Sequence, residues 1–340
     1  MLHKETGLMG INWQPLVELV AHSEKFLITT HVRPDGDALG SMIALAGALR
    51  QRGKQVQCVI SSSYPSRYDF LDTRREIQGF APPGSKLLPV DALVVVDTGT
   101  WNQLDVMADF VRKLDAPKLV IDHHVTQDEL GATRLLDTTA EACARLIYEA
   151  VLAIGGKLTL EVAEALFVGL AMDTGWFYHR NTTDRTFALV QELVQAGARP
   201  NYLHEQLFER NTLGRLKLTG LILDRLTVTA GGRIAHSAIH KTDYEQTGSR
   251  PPDSEDLINY TMSLAGVELG LLFMEQPRGG IKISFRSRGQ IDVSKLAERF
   301  GGGGHPQAAG ATVQAALDEV RAKVLDAVMA ELGPAVPGGR

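Results

Sequence analysis

The sequence predicts an α/β protein of two domains: an N-terminal parallel sheet with helices on both faces, and a smaller C-terminal α/β domain with a mixed sheet. Three observations point there. Continuous apolar runs alternate with helical-period stretches over residues 1–190, as in strands covered on both faces. The chain has 340 residues, which favours more than one domain. Near Leu226 the pattern changes to short strands joined by glycine turns. The expected boundaries are 1–190 for the first domain, 191–225 for a helical linker and 226–335 for the second domain. The active-site cleft is expected between the domains.

Residues 1–25 read as a leading helix with Leu16, Val17, Leu19 and Val20 on its buried side. The stretch from Phe26 (FLITT) reads as a buried strand. It is followed by His31, Asp35 and Asp37 on a turn interrupted by Pro34 and Gly36. A helix is expected from about Ala38 to Gln51, with Leu39, Met42, Ile43, Ala46 and Leu49 on one face and Gly53 as its stop. Gln55 to Ser61 reads as a second strand, and Tyr64 to Gly84 as irregular to helical. Ala92 to Val96 (ALVVV) is a strand that ends in Asp97, and Lys118 to Ile121 one that ends in Asp122, His123 and His124. Helices are expected over 140–155 and 160–172, the second running into Asp173. A carboxylate there opposes the helix dipole and suggests a compensating cation. Further helix covers 186–197 and 198–223, with a break near Asn211 to Gly214.

In the second domain, LTVTA and RIAHSAI flank Gly231-Gly232 as a hairpin. Ser254 to Leu264 reads as a helix, and Glu268 to Phe273 and Ile281 to Ser287 as strands. Along the last of these Ile283 and Phe285 alternate with Ser284 and Arg286, so Arg286 and Arg288 fall on the face opposite the apolar one. Asp292 or Ser294 caps a helix through Phe300, followed by Gly301-Gly302-Gly303-Gly304-His305-Pro306 and a final helix from about Val313 to Leu332.

With 44% hydrophobic and 22% charged residues this is an ordinary globular composition. A formal charge of −5 excludes a generally basic nucleic-acid platform, so a polyanionic substrate requires a local site. Cys58 and Cys143 are the only cysteines and read as core thiols, without a disulfide framework. No basic-then-apolar leader and no apolar run of spanning length is present, so no membrane association is expected and the cytoplasm is the expected address.

Taken singly, Asp35 or Asp37 reads as a turn or cap residue, and His31 as a hydrogen-bonded histidine at a strand end. Taken together, separate apolar strands deliver carboxylates or imidazoles at their carboxyl ends, which in a parallel sheet lie on one edge. The candidates are His31, Asp35, Asp37, Asp97, His123 and Asp173, with His124 beside them. Four converging carboxylates repel unless cations or protons intervene. Two divalent cations balance them, and mixed oxygen and imidazole ligands suit Mn²⁺ better than Mg²⁺. The chemistry that follows is metal-assisted hydrolysis of a phosphate ester by in-line attack of an activated water. The glycine run reads as an anion-binding nest and Arg286 as a planar fork for phosphate, against the plainer reading of a flexible turn.

Asp122-His123-His124, with His31-x-x-x-Asp35-x-Asp37, Asp97 and Asp173, resembles the DHH phosphoesterase family. FGGGGHPQAAG, Phe300 to Gly310, resembles the signature of the domain associated with it. The likeness spans nearly the whole chain and is greatest to the short bifunctional oligoribonuclease and 3′-phosphoadenosine 5′-phosphate phosphatase branch. It implies a catalytic metal-binding domain and a substrate-binding domain. One ion is then held by His31, Asp35 and Asp97, and the other by Asp37, Asp97, His123 and Asp173. Asp97, His123 and His124 carry the chemistry, with His124 facing the scissile phosphate or leaving group. Arg286, Arg288, His305 and the backbone of Gly303 and Gly304 bind a substrate phosphate. The implied activity is manganese-dependent hydrolysis of short oligonucleotides and of 3′-phosphoadenosine 5′-phosphate; the implied partners are short RNA or DNA and small nucleotides, with a homodimer compatible. The alternatives are a phosphodiesterase of cyclic di-AMP or linear dinucleotides, and a RecJ-like single-strand exonuclease. The last is disfavoured by the acidic charge and the lack of a basic stripe with aromatics. A nucleotide sensor without turnover predicts a missing ligand, and none is missing.

Overall fold

The structure is a computed structural model that describes residues 10–81, 87–277, 279–289 and 291–332, with the side chain of His305 outside the description. The chain divides into two compact units, residues 1–210 and 211–340.

The first unit carries β1 (Lys25–Thr29), β2 (Gln55–Ile60), β3 (Ile77–Gly79), β4 (Ala92–Val96), β5 (Lys118–Asp122) and β6 (Thr133–Leu136). Its helices are α1 (Gln14–His22), α2 (Gly36–Gln51), α3 (Trp101–Leu104), α4 (Ala108–Lys113), α5 (Cys143–Ala153), α6 (Leu160–Asp173), α7 (Asp184–Gln195) and α8 (Pro200–His204), the last continuing as a π-helical turn over Glu205–Glu209. Among the described residues the six strands form one parallel sheet in the order β3-β2-β1-β4-β5-β6. The chain winds outward from β1 to β3, then returns to place β4 on the other side of β1, so the direction of winding reverses between β1 and β4. Alternate side chains face two cores. Phe26 and Ile28 join α1, α2, α5 and α6 on one face; Leu27, Leu93 and Val95 join α3 and α4 on the other. Thr29 pairs with Val95 and Val96 with Ile121, so the ends of β1, β4 and β5 are level.

Short elements depart from the sequence expectation. Ile77–Gly79 is a strand inside the stretch expected to be irregular to helical, and Thr133–Leu136 adds a strand that the pattern did not reveal. Segments of three or four residues hold too few alternations to register as strands, and each is ordered by pairing with the strand that precedes it in the chain. The expected leading helix begins at Gln14, and its first nine positions lie outside the described residues.

The second unit carries α9 (Leu213–Asp224), β7 (Thr227–Thr229), β8 (Ile234–Ile239), α10 (Lys241–Thr247), β9 (Leu269–Glu275), β10 (Ile281–Ser287), α11 (Val293–Glu298), β11 (Gly303–His305), β12 (Ala308–Val313) and α12 (Leu317–Leu332). Its sheet runs β11-β12-β10-β9-β8-β7 and is mixed: β8 and β9 are parallel, the other pairs antiparallel. Phe285, Ile283 and Leu271 pack under α11 and α12, while Leu272 and Met274 face α9. The expected helix over 254–264 is instead two 3₁₀ stretches, Pro251–Ser254 and Leu257–Ser263, broken by Asp256 in the left-handed region. The final helix starts at Leu317, later than the expected Val313, because Val313 closes strand β12 and pairs with Ile281 of β10. The glycine run is in part strand β11. A Cβ at Gly302 would meet Gly310 O at 2.1 Å, and one at Gly304 would meet Ala308 O at 2.6 Å, so close approach to β12 accounts for glycine at both. Among the described residues no helix is long and apolar enough to cross a membrane.

Candidate metal centre

The ends of β1, β4 and β5 bring the candidate ligands together. His31 follows β1. Asp35 caps α2, its Oδ1 accepting from Asp37 N at 2.9 Å and Ala38 N at 3.1 Å. Asp37, buried in the first turn of α2, reaches across to the start of α5. Its Oδ2 accepts from Cys143 N at 2.6 Å and its Oδ1 from Ala144 N at 2.8 Å, satisfying two amides that a helix start leaves without partners. A side chain on Gly169 of α6 would close this approach, since a Cβ there would stand 2.8 Å from Asp37 Oδ1. Asp97 follows β4 with φ +60°, a left-handed conformation in which a non-glycine residue is held by its surroundings. His123 follows β5, and Asp173 is the last residue of α6.

Asp97 is 2% exposed and divides its carboxylate between two imidazoles. Oδ2 lies 3.5 Å from His31 Nε2, and Oδ1 lies 3.5 Å from His123 Nε2. His31 Nε2 is also 4.0 Å from Asp35 Oδ1. His123 Nε2 is 3.7 Å from Asp173 Oδ2 and 3.9 Å from Asp37 Oδ2. The candidate ligands thus fall into two groups, His31, Asp35 and Asp97, and Asp37, His123 and Asp173, each with ligand atoms within 4.8 Å of one another. Asp97, His123 and His124 form a third such group.

Electrostatics follow from the crowding. Burial opposes charge on His31, but the Asp97 hydrogen bond and nearby carboxylates outweigh it and raise the imidazole to about 9. The same balance raises His123 to about 10. Burial pushes Asp37 well above the carboxylate range, with Asp97 and Asp173 adding to it, and pushes Asp173 up to about 6. Burial also raises Asp35, with Asp97 adding to it. Burial alone would raise Asp97, yet the two imidazoles facing it hold it below its ordinary value. Protons on the imidazoles and on some carboxylates therefore supply the positive charge that this cluster demands.

The donor set fits divalent cations. His31 Nδ1 lies 3.0 Å from Val32 O and His123 Nδ1 lies 3.1 Å from Ala140 O. A carbonyl oxygen only accepts, so Nδ1 carries a hydrogen in both rings, and loss of the second proton leaves the Nε2 lone pair facing inward, as in a metal-ligating imidazole. Asp97 Oδ1 is buried and has no hydrogen bond of ordinary length, His123 Nε2 standing 3.5 Å away, which is costly for a carboxylate without a cation.

Asp122 received no task from the sequence, although its place at the last residue of a buried strand was a signal. It is fully buried, and its Oδ1 accepts from His123 N at 2.8 Å, His124 N at 3.2 Å and His124 Nδ1 at 2.8 Å. That hydrogen bond raises the His124 pKa and sets Nδ1 toward Asp122, with Nε2 on the far side of the ring. Asn181 was also missed. Its Nδ2 donates to Asp173 O at 3.3 Å and Glu141 O at 3.1 Å, tying the end of α6 to the loop before α5.

The remaining candidates lie in the second unit. Arg286, on β10, donates to Phe285 O at 3.2 Å, and burial lowers its pKa while Asp256 opposes that. Arg288 lies beyond the strand, and its fork is committed to main chain, to Val267 O at 2.7 Å and Met262 O at 2.6 Å. Gly303 and Gly304 pair with Gly310 and Ala309 in the ladder between β11 and β12. The expectation for the His305 side chain lies outside what is described.

Comparison with known proteins adds to this geometry. Residues 25–170 match the DHH family, N-terminal domain, and residues 231–332 match the DHHA1 domain. The chain is 31% identical over 307 residues to the bifunctional oligoribonuclease and PAP phosphatase NrnA of Thermus thermophilus, covering 90% of this chain and 89% of that protein. It is 29% identical over 301 residues to the protein of the same name from Bacillus subtilis, covering 88% and 92%. Its fold superimposes on an exopolyphosphatase-related protein from Bacteroides fragilis with a TM-score of 0.87 at 23% identity, over 94% of this chain and 95% of that one.

Proposed function

We propose, from the premise that this chain belongs to the DHH family of phosphoesterases and carries a DHHA1 domain, that it hydrolyses very short oligoribonucleotides to mononucleotides and 3′-phosphoadenosine 5′-phosphate to AMP, with Mn²⁺, in the cytoplasm. The relatives named above for both activities support the substrate class. The observation that carries the metal chemistry is the division of Asp97 between two imidazole-containing groups.

In this reading His31, Asp35 and Asp97 would hold one ion, and Asp37, Asp97, His123 and Asp173 would hold the other. Such ions would activate a water and neutralise phosphoryl oxygens. The rest belongs to the chain. Asp97 faces both groups of side chains from one carboxylate. The carbonyls of Val32 and Ala140 fix the tautomers of His31 and His123. The amides of α5 fix Asp37. The oxygen of water bonds to phosphorus and its proton passes to solvent. The bond from phosphorus to the ribosyl oxygen breaks, and that oxygen takes a proton from His124 Nε2. In the second unit Arg286 and His305 are assigned to a substrate phosphate, whereas Arg288 anchors the main chain.

The test is a panel on metal-stripped protein, resupplied with Mn²⁺ or Mg²⁺ and offered dinucleotides, longer RNA and DNA, cyclic di-AMP and 3′-phosphoadenosine 5′-phosphate. Dinucleotides and 3′-phosphoadenosine 5′-phosphate should turn over fastest, and Mn²⁺ should restore activity better than Mg²⁺. Preference for cyclic di-AMP or long single strands would replace the substrate assignment. Equal rescue by Mg²⁺ would replace the metal assignment.

A further inference from the structure

The loops after β4 and β5 are joined beside the centre. Asp128 N donates to Gly99 O at 2.8 Å, and Trp101 N donates to Asp128 Oδ2 at 2.8 Å. Gln127 lies in this seam. Its Nε2 donates to Asp122 Oδ2 at 2.6 Å and to His124 O at 3.1 Å. Both partners only accept, so the amide orientation is fixed by donation. Its Oε1 is buried and accepts no hydrogen bond. A Cβ on Gly99 would stand 1.7 Å from that Oε1, so the seat exists only because residue 99 has no side chain.

The two oxygens of Asp122 therefore have different tasks. Oδ1 holds the ring of His124, and Oδ2 is held by Gln127. A fully buried carboxylate that loses a donor turns to recover one. Any such turn moves the oxygen that orients His124. An amide suits this position, because it donates to Asp122 without cancelling the charge that polarises the imidazole.

We propose that Gln127 is a positioning residue for the reaction: it locks Asp122 so that His124 keeps the ring orientation from which Nε2 protonates the leaving oxygen. The inference rests on the acid role given to His124 above. A merely structural role, tying two loops, predicts losses that ignore the leaving group.

The experiment uses the full chain with Mn²⁺ and compares two substrates. A 5′-phosphorylated diadenylate expels a ribosyl oxygen that needs a proton; bis-p-nitrophenyl phosphate expels an aryloxide that does not. His124→Ala should lose about a hundredfold in kcat on the diadenylate and much less on the aryl ester. Gln127→Met should lose about tenfold on the diadenylate, with the aryl ester close to wild type. Gln127→Asn, which keeps an amide in the buried seat but falls short of Asp122, should behave alike and serves if the Met variant folds poorly. In metal-free protein labelled with ¹⁵N-histidine, the His124 Nδ1–H resonance should weaken or shift in both variants while the melting temperature holds. A selective loss for His124→Ala with equal losses on both substrates for the Gln127 variants, or with no loss and an unmoved resonance, would overturn the role of Gln127 alone. Equal losses on both substrates for His124→Ala would overturn the acid role and this inference with it.

Discussion

Asp97 is a buried carboxylate that serves two imidazole neighbours. Asp97→Ala should therefore lower turnover by about a hundred- to a thousandfold or more, the scale lost with a transition-state stabiliser, in a chain that still folds. Metal analysis and thermal melting check this, and two bound ions with near-native activity would refute it. The same charges give the metal-free protein a pH dependence. His31 and His123 rise from 6.5 to about 9 and about 10, so their stabilisation is complete below 6.5 and is lost as pH climbs through 9 to 10. Asp173, raised from 3.8 to about 6, also favours the folded state at low pH and loses that contribution as pH passes 6. Asp97 is lowered, so its contribution is present above 3.8 and lost only in acid. The melting temperature after EDTA should fall between pH 6 and pH 10, and Mn²⁺ should flatten the fall. A metal-free protein that becomes more stable across that range would contradict these assignments. Residue types at strand ends made these groups legible in the sequence. Asp122 and Gln127 were less so, because a positioning side chain is defined by its partner and not by its own chemistry.

At the scale of elements, Asp37 differs from Asp97 in what its loss should do. It caps α5 from within α2, and its removal leaves Cys143 N and Ala144 N buried without acceptors. Asp37→Ala should cost about 1–3 kcal/mol of stability besides removing activity, whereas Asp37→Asn, which keeps one acceptor, should cost less. Denaturant unfolding of the two variants beside Asp97→Ala decides this, and equal stability for all three would dispose of the cap. Nothing local announced this contact. The apolar runs of β1, β4 and β5 were legible because both faces are buried, and the polar residues after them were legible as a set. A carboxylate that finds the start of a helix in a distant segment has no pattern in the chain. Nor did β3 and β6, whose few residues are strands only by virtue of a neighbour.

At the scale of the whole molecule, the sequence pattern changes near Leu226, and the chain divides into its two units at residue 210. In the unit that follows, the glycine run that suggested a nest or a turn proved in part to be strand β11, and strand β12 was not foreseen. Arg286 separates the proposed roles of the units. Arg286→Ala should lose about 1.5–3 kcal/mol of transition-state stabilisation on the diadenylate and on 3′-phosphoadenosine 5′-phosphate, or about ten- to a hundredfold in kcat/KM. Bis-p-nitrophenyl phosphate, which lacks a second phosphate, should fall less. Equal losses on both kinds of substrate, or a melting point lowered enough to explain them, would remove Arg286 from phosphate binding.

The order of the first sheet has a kinetic corollary. His31, Asp97, His123 and Asp173 stand far apart along the chain, and the set is complete only once β1 has β4 at its side, β5 has joined β4, and α6 has packed against α2. Pairings of such long sequence separation close late and slowly. Ions bound by these residues would therefore not nucleate folding as they do in a zinc finger, where ligands are near neighbours. They would arrive at a scaffold already built and slow its opening. In refolding from denaturant with Co²⁺ present, the visible absorption of the bound ion should appear in the last phase, after the far-ultraviolet signal of the helices is complete. Absorption that rises with the first phase would mean that a subset of the ligands gathers before the sheet does.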